Sequence, residues 1–305
     1  FVLLKNNDVL PIKKTYKRMA IVGPFADNVY QLYGDYNSDI DLTKKFAKTP
    51  KVGLSGLAQD QEFTTGCPDP HCTTYNSASV KEAVSGADVV VVCLGLGVAL
   101  EAESNDRRDI DLPGHQLQLL KDAASSAAGA PVIVLLFNAG AVDVSFALQS
   151  SSVSAMLACF YPGQATGDAL YYSLTAKTPW AIPAGRMPAT WPASLDQYPN
   201  ITVYAMEGQT YRYFKGDALV PFGFGLSYTQ FKYLSLDVSP SSIDPGQEVT
   251  AKVKLQNIGQ YEADEVIQVY ISWPVGLPAP IRQLAAFDRV ALKPNQTIEV
   301  TLLIK

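Results

Sequence analysis

Glu101 and Glu103 stand two residues apart in the stretch Gly95-Leu96-Gly97-Val98-Ala99-Leu100-Glu101-Ala102-Glu103-Ser104-Asn105-Asp106-Arg107-Arg108-Asp109, directly after the apolar run Val89 to Leu94. A carboxyl group on such a loop can protonate a leaving group when its surroundings raise its pKa towards working pH. A spacing of two points both carboxyls to one side of an extended chain, but a coiled loop does not keep that alternation. The plain alternative is a solvated acidic loop in which Asp106 and Arg107 pair with their neighbours. A dinucleotide fingerprint beginning at Gly95 and Gly97 fails, because its third glycine would fall where Leu100 stands and acidic residues follow where a pyrophosphate needs donors.

Other chemistries are thinly represented. The only histidines, His71 and His115, lie in a polar turn and at a helix start, and neither has a nucleophile motif beside it. Lys plus Arg number 24 against 29 Asp plus Glu, a formal charge of −5 with no basic cluster, so no nucleic-acid partner is expected. The apolar runs at 89–94 and 132–137 are far shorter than the roughly 20 residues of a membrane-spanning helix, so no membrane partner is expected. Residue 1 is Phe rather than Met, which reads as an end made by processing or by the choice of segment.

Cys67 and Cys72 bracket the turn Pro68-Asp69-Pro70-His71 and read as a local disulfide, with Cys93 and Cys159 as buried free thiols in apolar runs. A zinc site on Cys67, His71 and Cys72 competes but lacks a fourth ligand nearby, so no metal is expected. Asn200-Ile201-Thr202 and Asn295-Gln296-Thr297 match the glycosylation acceptor pattern. Acceptors and disulfide together point to an oxidising, secretory compartment, extracellular or lysosomal.

The elements that must position the carboxyls follow from periodicity. The 305 residues are 48% hydrophobic and 17% charged, enough for two folded domains. Met19 to Val22, Val89 to Leu94, Val132 to Phe137 and Val153 to Phe160 are nearly continuous apolar runs of strand length, as expected for strands covered on both faces. Ser77 to Ser85, Gly114 to Ala128 and Gly163 to Leu174 read as helices, the second through Leu117, Leu120 and Ala124. The alternation predicts a mostly parallel α/β sheet with helices on both faces. A proline-rich, aromatic stretch over 176–230 reads as a loop-rich wrap, whose rings suit packing between domains better than a sugar site. From Phe231 the period becomes two, with Val249, Ala251, Val253 and Leu255 facing one way, and further strands at Val266 to Ile271 and Thr297 to Ile304. An α/β domain over 1–230 and a small antiparallel β-sandwich over 231–305 are expected.

An ordered series of motifs carries a resemblance. Val2-Leu3-Leu4-Lys5-Asn6 with Leu10-Pro11, Ala20-Ile21-Val22-Gly23-Pro24, Gly34-Asp35-Tyr36, Glu101-x-Glu103-x-x-Asp106-Arg107 and Leu112-Pro113-Gly114-x-Gln116 come first. Tyr161-Pro162-Gly163-Gln164, Pro183-Ala184-Gly185-Arg186, Gly208 to Phe214 and Pro221 to Thr229 follow. Together they resemble the family-three glycoside hydrolases, with the β-xylosidase branch the nearest likeness. The resemblance implies a three-part enzyme, a (β/α) barrel, an α/β sandwich and a fibronectin type III-like domain, of which this sequence holds the last two.

The resemblance further implies a retaining β-glycosidase, an exo-acting β-D-xylosidase with α-L-arabinofuranosidase as an allied activity, needing no cofactor. Its acid/base would be Glu103, three residues before Asp106-Arg107, with Glu101 in reserve, while Asp106 and Arg107 support the loop. No segment resembles the barrel strand that bears the nucleophile, and the one comparable dipeptide, Ser38-Asp39, lies in a polar stretch without those surroundings. The partners implied are an oligosaccharide or glycoside substrate and a barrel domain in a separate or removed chain. Gln209 stands where many members carry Arg, a change also met in xylosidases. The competing class is a non-catalytic carbohydrate-binding or structural protein that keeps the fold.

Overall fold

The computed structural model describes residues 1–37 and 40–304. The dipeptide Ser38-Asp39 lies outside the described residues. The chain forms two compact units, Phe1–Lys177 and Thr178–Lys305.

In the first unit six strands share one sheet: β1 (Val2–Asn6), β2 (Tyr16–Val22), β3 (Ala58–Thr64), β4 (Val89–Gly95), β5 (Val132–Phe137) and β6 (Ala155–Ala158). Their order is β1-β6-β5-β4-β2-β3, with β1 antiparallel to β6 and every other pair parallel. Every residue of β4, β5 and β6 is buried, as parallel strands require when crossover segments cover both faces. Three helices, α1 (Ser77–Val84), α2 (Gln116–Ser126) and α3 (Thr166–Thr175), fall within a residue or three of the periodicity. The Asn76 side chain accepts the Ser79 amide and starts α1, which buries Val80, Ala83 and Val84. In α2 the buried stripe is Leu119, Leu120, Ala123 and Ala124, while Leu117 is half-buried. The strand β3 was not legible as an apolar run, because it sits at a sheet edge and reads Ala-Gln-Asp-Gln-Glu-Phe-Thr, while β1 offers only the three apolar residues Val2 to Leu4 before Lys5.

The second unit begins with loops and a short pair, β7 (Trp191–Pro192) and β8 (Ala218–Val220). It then builds β9 (Phe231–Ser239), β10 (Val249–Asn257), β11 (Ala263–Ile271), β12 (Gln283–Leu292) and β13 (Thr297–Ile304). A three-stranded sheet, β13-β10-β9, and a two-stranded one, β11-β12, are both antiparallel. Ala251, Val253 and Leu255 of β10 meet Ile267, Leu292 and Leu302 in one core, on the side of β10 that the period of two selects.

The aromatic wrap belongs to this unit. Tyr211 stacks on Phe222 at 4.1 Å between ring centroids, and its hydroxyl accepts the amide of Leu284 at 2.9 Å. Arg186 meets Glu265 at 2.7 Å, with the Tyr233 hydroxyl on the other carboxylate oxygen at 2.9 Å. Packing therefore divides the chain at 177/178, whereas the change of period that sets the sequence boundary comes at 230/231.

Candidate functional site

The parallel strands β4, β5 and β6 end at Gly95, Phe137 and Ala158, and beyond those carboxyl ends lies the edge where open α/β sheets bind ligands. The end of β4 is fixed first. The buried Gln116 side chain accepts the Gly95 amide at 2.9 Å, and its amide nitrogen donates to the carbonyls of Gly95 at 2.7 Å and Pro70 at 2.6 Å. Pro70 belongs to the turn closed by the Cys67–Cys72 disulfide, whose Cα atoms are 4.9 Å apart, and the His115 amide donates to the Cys72 carbonyl. The bond consumes both thiols and removes the competing zinc reading, while Cys93 and Cys159 are free and buried.

The loop then turns at Gly97, whose φ of +77° and closeness to Gln31 leave no room for a side chain: an added Cβ would meet the Gln31 Oε1 at 2.0 Å. Four residues on, Glu101 turns inward. One carboxylate oxygen accepts the Ala139 amide and the Tyr161 hydroxyl, the latter at 2.6 Å. The other accepts the Gly140 amide at 3.0 Å and lies 3.7 Å from the Arg107 guanidinium. Arg107 also donates to the Ala141 carbonyl at 2.6 Å. Glu101 thus fastens the loop after β4 to the turn after β5 and to Tyr161, three residues past the end of β6, with its side chain only 12% exposed.

Glu103 is placed differently. It is exposed, and its own amide donates to the Asp35 carboxylate at 2.7 Å. The Tyr36 phenol bonds to its carboxylate, and this bond first, then burial and Asp35, pushes the Tyr36 hydroxyl above its ordinary pKa. Burial first, then Glu101, pushes Tyr161 up as well, so its phenol stays protonated and donating. Of the two residues expected to support the loop, Arg107 reaches it directly. Asp106 is exposed, and its side chain makes no hydrogen bond or ion pair among the described residues.

Sequence reading brought the loop and its two glutamates to attention but missed Tyr161, Asp35 and Tyr36 as their partners. The motifs Gly34-Asp35-Tyr36 and Tyr161-Pro162-Gly163-Gln164 were the available signal. Asn200 and Asn295, the two glycosylation acceptors, are exposed. Among the described residues no group of three His, Cys, Asp or Glu side chains could hold a metal ion, and no helix is long and apolar enough to cross a membrane.

Comparison with known proteins joins these observations. Residues 1–228 match the glycosyl hydrolase family 3 C-terminal domain, and residues 265–305 match the fibronectin type III-like domain. The chain is 32% identical over 325 residues to a β-xylosidase/α-L-arabinofuranosidase 2 of Medicago sativa subsp. varia, covering 95% of this chain and 41% of that protein. It is also 32% identical over 333 residues to an exo-1,4-β-xylosidase of Aspergillus niger, covering 98% and 40%. Among solved structures, a family-three exo-β-xylosidase in complex with a xylobiose aziridine activity-based probe superposes with a TM-score of 0.79 at 28% identity, over 99% of this chain and 42% of that one. A β-glucosidase from Listeria innocua with isofagomine gives 0.80 at 28% identity, over 99% and 43%. The chain spans about two-fifths of the length of the relatives it matches.

Proposed function

Because this chain belongs to glycoside hydrolase family 3, we propose that it is the C-terminal portion of a retaining, exo-acting β-D-xylosidase and supplies that enzyme's general acid/base through Glu103. The observation that carries this reading is the division of labour between the two glutamates. Both oxygens of Glu101 are occupied by protein donors, whereas Glu103 stands exposed on a loop that those same bonds hold over the carboxyl ends of the parallel strands. A general acid must bring its proton to a substrate oxygen, and an exposed carboxyl on a braced loop, held among the described residues by the Tyr36 phenol alone, can do so.

Retention of configuration needs a second carboxyl roughly 5–5.5 Å from the first to attack the anomeric carbon. The described elements contain no (β/α) barrel, and the proposal takes the nucleophile from such a barrel. Glu103 would first protonate the departing oxygen and then, as carboxylate, activate the water that releases the sugar. The substrate is a β-xyloside or xylo-oligosaccharide, with arabinofuranosides as a second class. The disulfide and the exposed acceptors Asn200 and Asn295 fit a secreted, glycosylated protein.

The test uses the enzyme in which this region is joined to its barrel. Glu103→Gln is expected to lower kcat/KM for an alkyl xyloside by roughly 10²–10⁴-fold while sparing an aryl xyloside with a good leaving group, since only the first needs protonation. Equal losses on both, or a larger leaving-group-dependent loss from Glu101→Gln, would move the role. Turnover of an aryl xyloside by the present chain alone would remove the need for a barrel carboxyl. Failure of the complete enzyme to turn over any glycoside would favour a binding or structural role.

A further inference from the structure

We propose that Tyr161 is a positioning residue for Glu103, an inference that rests on the reading of Glu103 as the acid/base. Its phenol holds both ends of one turn: the hydroxyl accepts the Gly97 amide at 2.8 Å and donates to Glu101 at 2.6 Å. Between those ends the amides of Leu100 and Glu101 both donate to the Gly97 carbonyl, at 3.0 and 3.1 Å, so the turn 97–101 closes on itself as well as on Tyr161. Glu103 lies two residues past the inner end of this turn.

The same ring reaches the other support of Glu103. A Cβ built on Gly34 would stand 3.3 Å from the Cδ2 of Tyr161, which places the stem side of the ring against the turn carrying Asp35. Asp35 is the carboxylate that accepts the Glu103 amide. Tyr161 therefore lies against both structures that bracket Glu103, through its hydroxyl on one side and the Cβ–Cδ2 side of its ring on the other. A misplacement of about 1 Å in a reacting group can cost on the order of 10²-fold in rate, so a brace with this geometry acts on catalysis through distance alone.

Tyr161→Phe keeps the ring and removes the two hydroxyl bonds. In the present chain, amide hydrogen exchange over residues 97–105 is expected to accelerate by at least about tenfold, while β4 and β5 keep their protection. Unchanged exchange in the loop would overturn the brace whatever the enzyme does. In the barrel-containing enzyme, the substitution is expected to lower kcat/KM for an alkyl xyloside about tenfold and to leave an activated aryl xyloside within about twofold. Combined with Glu103→Gln it should add little, because there is then no acid left to place. Equal losses on both substrates, or full additivity with Glu103→Gln, would overturn positioning. Should Glu103→Gln itself show no dependence on leaving group, the acid assignment falls, and the exchange experiment still reports separately on the brace.

Discussion

In the first unit every residue of β4 and β5 is buried, whereas in the second unit Tyr233, Leu234, Leu236 and Val238 of β9 are between 42 and 59% exposed. Parallel strands are joined by crossovers that run over the sheet faces, so the interior of a parallel sheet is dry on both sides. A sandwich of two small sheets buries only the faces they share, and here those faces amount to one core around Ala251, Val253, Leu255, Ile267, Leu292 and Leu302. The strand β9 lies at an edge, with one neighbour, and every residue of it past Phe231 is exposed, on both faces. The loop that carries both glutamates belongs to the drier, more constrained unit. Glu101, Glu103, Tyr161 and Asp35 all stand there.

The widest gap between the units should come from deleting apolar side chains. Ile133 is fully buried on β5, a strand with a neighbour on each side, so Ile133→Ala is expected to cost about 2–5 kcal/mol, the lost transfer energy plus a cavity that a close-packed sheet cannot collapse around. Leu236→Ala on β9, where the side chain is 59% exposed, should cost less than about 1 kcal/mol. Urea unfolding followed by far-UV circular dichroism compares the first, and tryptophan fluorescence the second, since Trp180, Trp191 and Trp273 all lie in the second unit. Equal costs at the two sites would erase the contrast in burial.

A smaller effect tests the turn that supports the site. Cross-linking a loop of six residues removes roughly 2 kcal/mol of chain entropy from the unfolded state. Cys72→Ser is expected to destabilise the first unit by about that amount and to leave the tryptophan-reported unfolding of the second unchanged. The native protein should take up no thiol label at Cys67 or Cys72 before reduction. Labelling there, or an equal loss of stability in both units, would contradict the local role of the bond.

The same contrast decides what could be read from the sequence. Continuous apolar runs announce buried parallel strands, and β5 was legible to the residue. The edge strand β3 was not, because an edge needs only one apolar face and tolerates Gln, Asp and Glu. Nor was β12, where Gln-Leu-Ala-Ala-Phe-Asp-Arg-Val-Ala-Leu lacks regular alternation and most positions are only half-buried or exposed. At the site, the residue types and the loop were legible, since acidic residues after an apolar strand stand out locally. The partners of Glu101 were not: Ala139 and Tyr161 are 38 and 60 positions away and are brought near by the adjacency of β4, β5 and β6. Spacing along a chain carries no information about neighbours across a sheet.

The most modest expected difference is in response to pH, where one carboxyl in each unit works in an opposite sense. For Asp122 in the first unit, burial alone would raise the pKa. Hydrogen bonds from Ser77, Tyr75 and Gln118, with the charge of Lys81, outweigh it and hold the carboxyl below its ordinary 3.8. Its contribution to stability is therefore present above that value and lost as the pH falls through the lowered one. For Glu265 in the second unit, burial outweighs the attraction of Arg186 and the bonds from Tyr233 and Arg186, and the carboxyl is held above its ordinary 4.5. Its contribution is complete below 4.5 and is lost as the pH rises through the raised value. On acidification from neutrality, the Glu265 term should thus strengthen the second unit before the Asp122 term weakens the first. Glu265→Gln, which keeps an acceptor for Arg186, should flatten the fluorescence-detected urea midpoint between about pH 4 and 7. A midpoint in the Gln variant that still rises on acidification as steeply as in the parent would place the titration elsewhere and leave the two units alike in their response to acid.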